Sequence, residues 1–514
     1  MSLAAAAHIA LDPDSLALAD DRVALSWAQL DGIVNRAANA LLATRETDVG
    51  RIGVFAVNSA ETVLAYLSGL QAGVSSIPIN FHLTAAEAAY ILKDAQADLL
   101  FVGPETLEVG RAAAKLAGVG RVVGWRCAGD GVTAWDDWLA AASDAEPPAT
   151  RAPRPFLHYT SGTTGTPKGA ETPPTMFPRT ATVEDFFAAM RDQVALASPG
   201  PSLGVGPLYH TGPLGAVRQL GGGKPLVVLP KFDPEAVLAA IARHGVSSTV
   251  MVPTHFQRLL TLPPQTRARY DVSSLKMVAH TGAACPVDVK RAMIDWFGPV
   301  LFDAYGGTES GTTNMISSAE WLEKPGSVGK TLAPFELLII GEDGAVLPPG
   351  TAGQIYFRDT TGRGIVYHND PEKTRAAHLS PGVFTLGEIG YADDDGYLFI
   401  TDRVSDMIVS GGVNIYPAEA EQVLIAHPDV ADIAVIGVPG TVMGEDVKAL
   451  ILPADPAHPP DAQALDAFCR EHLAGYKCPR SYDIVETLGR NAMGKINKRL
   501  LRAPFWPTDR TIGG

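Results

Sequence analysis

The chain has 514 residues, of which 46% are hydrophobic and 19% charged, a composition ordinary for a soluble globular protein of about three structural units. Its net charge of −15 repels polyanions, which argues against nucleic acid or an anionic membrane as the main partner. The four cysteines form no Cys-x-x-Cys pair, the N-terminus has no basic segment, and no apolar run reaches the ~20 residues of a membrane span, so we expect a cytoplasmic protein.

Apolar runs alternate with helical patterns in the N-terminal part of the chain. RIGVFAVN and VSSIPIN have the character of strands, and SAETVLAYLSGLQAG between them predicts a helix with a serine N-cap. TAAEAAYILKDAQA followed by DLLFVG repeats the scheme, which indicates βαβ units and a mostly parallel sheet. The same alternation between DPEAVLAAIARHG and VLFDAYGGTES predicts a second doubly wound region.

The pattern changes twice in the C-terminal part. From about Lys330, short strands joined by Asp-Gly turns predict a small β-barrel-like subdomain. After Arg403, a proline-led helix in YPAEAEQVLIAHPDV, further strands, and an amphipathic helix ended by Gly475 predict a small α+β unit. We therefore predict an α/β body over residues 1–403 and a mobile C-terminal domain over residues 404–514.

The segment HYTSGTTGTPKGAE has the composition of a phosphate-binding loop, but it is not the P-loop of kinase-type NTPases. Counted from Gly162, the position that requires glycine holds Pro167, and Lys168 is followed by Gly169 instead of a hydroxyl residue. Glycines, hydroxyls and one lysine can nevertheless surround an anion with N–H and O–H donors. Composition alone leaves a flexible surface linker as the alternative.

YTSGTTGTPKGAE resembles the phosphate loop of adenylate-forming enzymes: acyl-CoA synthetases, firefly luciferase and the adenylation domains of nonribosomal peptide synthetases. PLYHTGP, HTGAACP, DAYGGTES, GYLFITDRVSDMIVSGGVNIYPAEAE, GEDVKA and GRNAMGKINKRLLR follow in the family's order. The chain is thus identified as a member of this superfamily, within the acyl-CoA synthetases. The resemblance implies adenylation of a carboxylic acid by ATP and Mg²⁺, release of pyrophosphate, and transfer of the acyl group to CoA.

The resemblance also assigns nucleotide contacts. Tyr305 would stack on adenine, Asp303 would accept from its amino group, Thr308 would contact the α-phosphate and Glu309 would bind Mg²⁺. Glu388 stands where the family has an aspartate for the ribose hydroxyls, which puts ATP affinity in doubt. The remaining implied ATP or AMP contacts are Thr160, Ser161, Gly162, Thr163, Thr164, Gly165, Lys168, Gly282, Ala283, Ala304, Gly306 and Arg403.

Lys495 matches the family's C-terminal catalytic lysine and would bridge the carboxylate and the α-phosphate, acting with Thr308, Glu309 and His210. His210 would be a gate beside the substrate carboxylate, with a packed loop histidine as the alternative. The implied acyl pocket consists of His210, His280, Gly282, Gly306 and Gly307, whose small residues suggest room for a bulky apolar or ring-bearing acid. The following segment ETPPTMFPRTATVEDF offers no recognisable specificity signal.

The small domain of this family swings between an adenylation pose and a thiol-attack pose. The resemblance places the hinge at Ser405, where relatives more often have aspartate or lysine. Gly411 and Gly412 would line the tunnel for the pantetheine arm. Lys477 and Arg480 would contact CoA phosphates, although both suit ordinary surface charges equally well.

Three alternatives remain open at this point. The acceptor could be a carrier-protein phosphopantetheine, although the chain has no carrier domain after the lysine motif. The departures at Glu388 and Ser405 allow a member specialised for one half-reaction. A non-catalytic nucleotide or acyl sensor on the same scaffold is the third alternative. A homodimer is the default oligomer.

Overall fold

The structure, a computed structural model, describes residues 12–43, 50–161, 167–282, 285, 287–341, 343–403, 408–415, 417–442, 444–489, 496 and 498–506. Within these ranges it does not describe the side chains of residues 161, 401–403, 414, 418, 422 and 499.

The first part of the body alternates strands and helices as the sequence predicts. Its elements are β1 (Leu16–Ala19), β2 (Ala24–Ser26), α1 (Trp27–Ala43), β3 (Arg51–Phe55), α2 (Ala60–Gln71), β4 (Ser75–Pro78), α3 (Ala85–Asp94), β5 (Ala97–Val102), α4 (Leu107–Ala117), β6 (Val122–Gly124), β7 (Val132–Ala134), α5 (Trp135–Ala140), β8 (Leu157–Ser161), β9 (Pro167–Glu171) and α6 (Val183–Ala195).

The second part completes the main sheet of the body. Its elements are β10 (Ser202–Gly204), α7 (Thr211–Gly221), β11 (Leu226–Val228), α8 (Pro234–His244), β12 (Ser248–Met251), α9 (Pro253–Leu260), α10 (Pro264–Arg267), β13 (Met277–His280), α11 (Val287–Phe297), β14 (Leu301–Gly307), β15 (Gly311–Ser317), α12 (Ser318–Glu323) and β16 (Lys330–Thr331).

The remaining elements form the barrel-like subdomain and the C-terminal unit. They are β17 (Phe335–Ile340), β18 (Gly353–Asp359), α13 (Pro371–Ala376), β19 (His378–Ser380), β20 (Val383–Phe384), β21 (Glu388–Ala392), β22 (Leu398–Arg403), β23 (Ile408–Ser410), β24 (Val413–Ile415), α14 (Pro417–Leu424), β25 (Val430–Gly440), β26 (Gly444–Pro453), α15 (Ala462–His472), β27 (Ser481–Ile484) and α16 (Lys498–Arg502).

Two wound sheets build the body. One has the order β4-β3-β5-β6-β7 and is parallel throughout. The other has the order β16-β15-β14-β13-β12-β10-β11-β1-β2, with a parallel centre and antiparallel edges. A shared apolar cluster, to which α1, α2, α6 and α7 contribute, packs the two sheets into one body. Ligands of such sheets bind beyond the carboxyl ends of the strands, where β13 and β14 end in the predicted motifs.

Local capping explains why these helices begin where they do. Ser59 accepts the backbone N–H of Thr62 at the start of α2, as the sequence predicts. Thr84 and Glu87 form a capping box on α3, in which the backbone N–H and the hydroxyl of Thr84 both donate to Glu87 Oε2 at 2.8 Å. Such a box satisfies N–H groups that the first turn leaves unpaired.

The barrel-like subdomain and the C-terminal unit have sheets of their own. The subdomain sheet is antiparallel, with the order β19-β20-β18-β21-β22 and β17 beside β18. The C-terminal sheet has the order β24-β23-β26-β25, with β27 parallel to β26, and its apolar clusters contain only residues from 408 onward. A boundary after residue 403 is compatible with these separate cores and stays a prediction, because residues 404–407 lie outside the description.

One predicted boundary in this unit is wrong. α15 ends at His472, and its C-cap residue Leu473 has extended backbone geometry. Gly475 therefore lies beyond the helix and does not end it. The buried side chain of Leu473 packs into the core of the small unit, so tertiary packing stops the helix before the glycine is reached.

Candidate active site

A two-stranded hairpin holds both ends of the phosphate-loop segment. β8 and β9 pair antiparallel, and Thr160 lies directly opposite Lys168. The ends of the loop are therefore one strand spacing apart, roughly 5 Å. The predicted contacts Gly162, Thr163, Thr164 and Gly165 and the side chain of Ser161 lie outside the described residues.

Two lysines and a glutamate gather beside this hairpin. Lys168 Nζ lies 3.8 Å from Asp370 Oδ2. Burial and the Lys168 ammonium lower the pKa of Lys373 to about 8, against the opposing effect of Glu309 and Asp370. The Tyr367 hydroxyl donates to Glu309 Oε1 at 3.0 Å. Concentrated positive charge beside one oriented carboxylate suits a triphosphate and the metal ion that accompanies it.

Glu309, the predicted metal ligand, has surroundings that fit magnesium. Mg²⁺ usually takes one or two protein carboxylates and completes its shell with water and substrate phosphates. In the part of the chain that the structure describes, no group of three or more His, Cys, Asp or Glu side chains could enclose a metal. A single carboxylate held by Tyr367 therefore matches an ion that arrives with the nucleotide.

Thr308 lies where the nucleotide side of the site meets the acyl side. Its hydroxyl is 3.2 Å from the hydroxyl of Thr211, the first residue of α7. The loop after β14 is held by the Gly307 N–H, which donates to Ser310 Oγ, and by the Thr175 hydroxyl, which donates to the Ser310 carbonyl. These bonds fix the backbone on both sides of Thr308.

Tyr305 and Glu388, the residues predicted to bind adenine and ribose, contact each other. The Tyr305 hydroxyl donates to Glu388 Oε2 at 2.7 Å, and Glu388 is only 7% exposed. The pairing of β21 with β22 sets Glu388 opposite Arg403, whose side chain lies outside the description. The residues expected to bind adenine and ribose therefore lie side by side, and the longer glutamate reaches the tyrosine hydroxyl.

Two buried side chains, Lys290 and His280, lie against the carboxylate of Asp303. Its Oδ2 accepts a hydrogen bond from the buried Lys290 ammonium at 3.0 Å and lies 3.6 Å from His280 Nε2. One carboxylate oxygen is therefore committed to Lys290, which orients the side chain. The expected contact with the adenine amino group would use the other oxygen and stays a prediction.

Two glycines bring backbone up to the site. Gly282 has φ of +86°, in the left-handed region that side chains disfavour. A Cβ on Gly306 would overlap the Gly311 carbonyl across a β-bulge. Gly282, Gly306 and Ala304 all border the same cavity, whereas Ala283 lies outside the described residues.

This cavity is the candidate acyl pocket, with a volume of about 560 Å³. Pockets of about 300–1,000 Å³ hold small organic ligands. Thr175, Met176 and α6 form one wall, so the segment in which the sequence showed no specificity signal borders this cavity. Further apolar lining comes from Pro207, Val250, Val252, Met277, Ala279 and Met315, and polar lining from Gln193, His210, Thr211, Arg218, Gln219, His255 and Thr308.

His210 borders this pocket at the N-cap of α7. Burial and, to a lesser extent, His82 lower the pKa of His210 to about 4. Its imidazole is therefore neutral at physiological pH and adds no charge beside a carboxylate. Its position agrees with the expected gate, and that role stays a prediction.

The prediction that His280 lines the acyl pocket is wrong. His280 is fully buried on the other face of β13, where its ring meets Phe256 edge-on at 5.4 Å. Side chains alternate along a strand, so the neighbours Ala279 and Thr281 face the cavity instead. Gly307 borders the cavity as predicted.

The small domain closes the mouth of this cavity. Gly411 and Gly412, with φ of +60° and +78°, line it together with Val413. A Cβ on Gly412 would lie 2.9 Å from Val252 Cγ2, so the loop approaches the body as closely as it does only because it has no side chain there. This arrangement sets the predicted pantetheine loop at the entrance to the acyl pocket.

The second predicted CoA contact needs a correction. Lys477 is 2% exposed, and its Nζ lies 2.8 Å from Glu87 of the body and 2.6 Å from Glu419 of the small domain. An ammonium enclosed by two carboxylates cannot meet a phosphate, so the predicted CoA contact is wrong for this arrangement. Arg480 is 52% exposed, 3.4 Å from Asp446, and remains accessible to an anion.

Two further predicted residues, Lys495 and Ser405, lie outside the described residues. The structure also adds site residues that sequence reasoning missed: Thr211, Arg218, Lys373 and Tyr367. Thr211 directly follows the His210 that was identified, so its motif could have revealed it. Arg218 lies two turns further along the same helix, α7, whereas Tyr367 follows β18 and Lys373 lies on α13; no local pattern marks these three.

The chain matches the AMP-binding enzyme family over residues 5–364 and the C-terminal domain of AMP-binding enzymes over residues 419–495. It is 32% identical over 498 residues to indoleacetate–CoA ligase of Aromatoleum aromaticum, covering 96% of this chain and 95% of that protein. It is 34% identical over 503 residues to feruloyl-CoA synthase of an Amycolatopsis species, covering 96% of this chain and 97% of that protein. Among the described helices, none is long and apolar enough to cross a membrane.

Two structures of o-succinylbenzoate CoA synthetase from Bacillus subtilis are similar to this one at 26% identity. A double mutant bound to the product analogue OSB-NCoA gives a TM-score of 0.80, covering 98% of both chains. The enzyme with its acyl-adenylate OSB-AMP gives a TM-score of 0.65, covering 100% of this chain and 99% of that chain. Over the whole chain, this structure is thus more similar to the structure with the CoA product analogue.

Proposed function

Because the chain belongs to the family of AMP-binding enzymes, we propose that it activates a bulky, ring-bearing carboxylic acid as its acyl-adenylate and transfers the acyl group to CoA. It is an AMP-forming acyl-CoA ligase. Relatives that cover nearly its whole length are named for indoleacetate and ferulate, which supports a ring-bearing acid.

One observation carries the proposal. The hydroxyl of Thr308, 3.2 Å from that of Thr211, lies where the cavity of about 560 Å³ meets the Glu309 side of the site. A carboxylate that projects from the cavity toward Thr308 would meet the α-phosphate of a nucleotide held near Tyr305 and Glu309. Such positioning turns an encounter of two anions into a reaction within one complex.

In the first step, a carboxylate oxygen bonds to the α-phosphorus while the bond to pyrophosphate breaks. Lys168 and Lys373 are placed to neutralise the leaving β- and γ-phosphates, and Lys495 would stabilise charge on the α-phosphate oxygens. Glu309 would hold the magnesium ion, which supplies further neutralisation of the phosphates. The neutral imidazole of His210 adds no charge that would retain the carboxylate.

In the second step, the CoA sulfur bonds to the acyl carbon, the bond from that carbon to AMP breaks, and the thiol proton passes to solvent. Gly411 and Gly412 border the cavity, and the pantetheine arm would pass beside this glycine loop. The small domain would rotate between the steps, because Lys495 and this glycine loop belong to the same unit and serve different steps.

Pyrophosphate release and thioester formation, measured on fatty, aromatic and polycyclic acids with and without CoA, test the proposal. We expect CoA-dependent thioester with ring-bearing acids and little with a holo-carrier protein as acceptor. Transfer to the carrier alone would favour the carrier-loading alternative, and a single pyrophosphate burst without turnover would favour a half-reaction enzyme.

The role of Lys495 has its own test. Lys495→Ala should lower the rate of ATP–pyrophosphate exchange by about 100-fold or more, because an electrostatic catalyst is lost. Thioesterification of supplied acyl-adenylate should persist. Lys498→Ala is the matched control, since Lys498 pairs with Glu421 at 2.7 Å. Exchange near the wild-type rate in Lys495→Ala would show that the assignment is wrong.

A further inference from the structure

Arg218 is a cation in the wall of the acyl cavity. It lies on α7, where Thr211, Gly215 and Arg218 recur at the spacing of one helix face and border the cavity. The opposite face buries Leu214, Val217 and Leu220 in the core. The helix therefore presents one charged side chain to a compartment whose other walls are largely apolar.

The guanidinium has no counter-charge in the part of the chain that the structure describes. Arg218 Nη1 is buried and has no hydrogen-bond partner there. Burial lowers the pKa of Arg218 to about 10, and no carboxylate offsets the effect. The nearby His158 offers no counter-charge, because an imidazole is either neutral or cationic; burial, Arg218 and His210 lower its pKa to about 3, which keeps it neutral.

Such a group is costly to bury. A charged side chain out of water is normally paired with an opposite charge, and a guanidinium matches a carboxylate in a two-pronged geometry. A ligand that fills the cavity would supply the missing acceptor.

We propose that Arg218 selects acids that carry a second carboxylate at the end remote from the one activated. This inference rests on the proposed function, because it takes Thr308 as the reacting end. The substrate class is a dicarboxylic acid with an apolar, ring-bearing middle, of which one carboxylate is converted to the thioester and the other stays ionised against Arg218.

Helix geometry sets the separation of the two carboxylates. Arg218 follows Thr211 by two helical turns, roughly 10 Å along the axis. Its Nη2 lies only 3.6 Å from the position of a Cβ on Gly215, so the guanidinium folds back by about one turn toward Thr211. The second carboxylate should therefore lie on the order of 6–10 Å from the reacting one.

The test uses three matched acids: 3-(4-carboxyphenyl)propanoate, its 4-methyl ester, and 3-phenylpropanoate. For the wild type, kcat/KM for thioester formation should be at least tenfold higher with the diacid than with either analogue. Arg218→Met should remove this preference, so that its kcat/KM for the diacid is no longer higher than for either analogue. Arg36→Met is the matched control, since Arg36 pairs with Asp144 at 2.7 Å on the surface.

A second readout does not need turnover. Without ATP or CoA, the diacid should raise the melting temperature of the wild type but not of Arg218→Met, and unliganded Arg218→Met should melt no lower than the wild type. Equal kcat/KM for the three acids, with normal thioester formation, would overturn the inference and leave the proposed function intact. If no acid is turned over, the proposed function fails, and the melting shifts alone decide the role of Arg218.

Discussion

Two cations, the buried Lys477 and the half-buried Arg218, occupy opposite electrostatic surroundings in this protein. At the domain interface, Lys477 lies between Glu87 and Glu419, at 2.8 and 2.6 Å. Burial acts to lower the pKa of Lys477, but the two carboxylates outweigh it and the pKa is raised. In the acyl cavity, Arg218 meets no carboxylate among the described residues, and burial lowers its pKa to about 10.

The difference separates two uses of a buried charge. When the domains separate, Lys477 keeps Glu419 of its own domain but loses Glu87 of the body, so the contact with Glu87 stabilises the docked arrangement. Arg218, which has no carboxylate partner among the described residues, could be neutralised by an anion that enters the cavity. Lys373, with Lys168 on one side and Glu309 and Asp370 on the other, is intermediate between the two.

The largest loss of activity should come from removing Lys477, the cation that is paired with two carboxylates. Lys477→Met leaves Glu87 and Glu419 buried without a cation, which costs roughly 3–5 kcal/mol. Because the pair forms across the docked interface, thioester formation from supplied acyl-adenylate should fall roughly 100-fold or more. ATP–pyrophosphate exchange should stay within a few-fold of the wild type, and both half-reactions are measured separately.

The control for that variant is Arg470→Met, which removes a small-domain cation paired with Asp466 at 2.6 Å on the surface. It should leave both half-reactions unchanged. Equal losses of adenylation and thioesterification in Lys477→Met would contradict a role confined to the docked arrangement.

A smaller loss of thioesterification should follow when only Glu87, the partner that the body contributes to Lys477, is changed. Glu87→Gln keeps an oxygen for the capping box with Thr84 but removes the charge that faces Lys477. One charge-assisted hydrogen bond is worth about 1.4 kcal/mol here, so thioesterification should fall about tenfold with adenylation unchanged. Glu108→Gln, which alters a surface pair with Arg111, is the control. A drop in melting temperature with no change in thioesterification would assign Glu87 to helix capping alone.

Lys373, the intermediate cation, should make the KM for ATP depend on pH. Lys373 is protonated below its pKa of about 8 and neutral above it, so its attraction for phosphates is present at pH 7 and lost as the pH rises through 8. The KM for ATP should therefore rise several-fold between pH 7 and pH 9. Lys373→Met should raise KM at pH 7 by about tenfold and flatten this part of the pH profile. An unchanged profile in the variant would exclude Lys373 from triphosphate binding.

Much of the fold follows from local pattern. The alternation of RIGVFAVN, SAETVLAYLSGLQAG and VSSIPIN predicts β3, α2 and β4, and Ser59 caps α2 as expected. The end of α15 could not be read locally, because Leu473 turns into the core before Gly475 can act as a stop. Sequence patterns within one helix or strand predicted these elements, whereas tertiary packing set the end of α15.

The site divides in the same way. Tyr305, Thr308 and Glu309 belong to one motif, and the structure places Tyr305 against Glu388 from a distant strand; their binding of one nucleotide stays a prediction. The pairing of Lys477 with Glu87 joins positions 390 residues apart, which no local pattern encodes. Arg218 has the spacing of a solvent-facing helical residue, and only the packing of α6 against α7 encloses it. Strand alternation could have excluded His280, since Ala279 and Thr281 share the opposite face.

The capping box of α3 has a consequence for chimeric ligases. Glu87 Oε2 accepts from Thr84, while its Oε1 accepts from Lys477, so one side chain both starts a helix and receives the other domain. A C-terminal domain grafted from a relative would meet a Glu87 carboxylate that the capping box already orients. The graft would need a lysine at the position of Lys477 to pair with it. In the reverse exchange, the recipient body would need both the threonine and the glutamate.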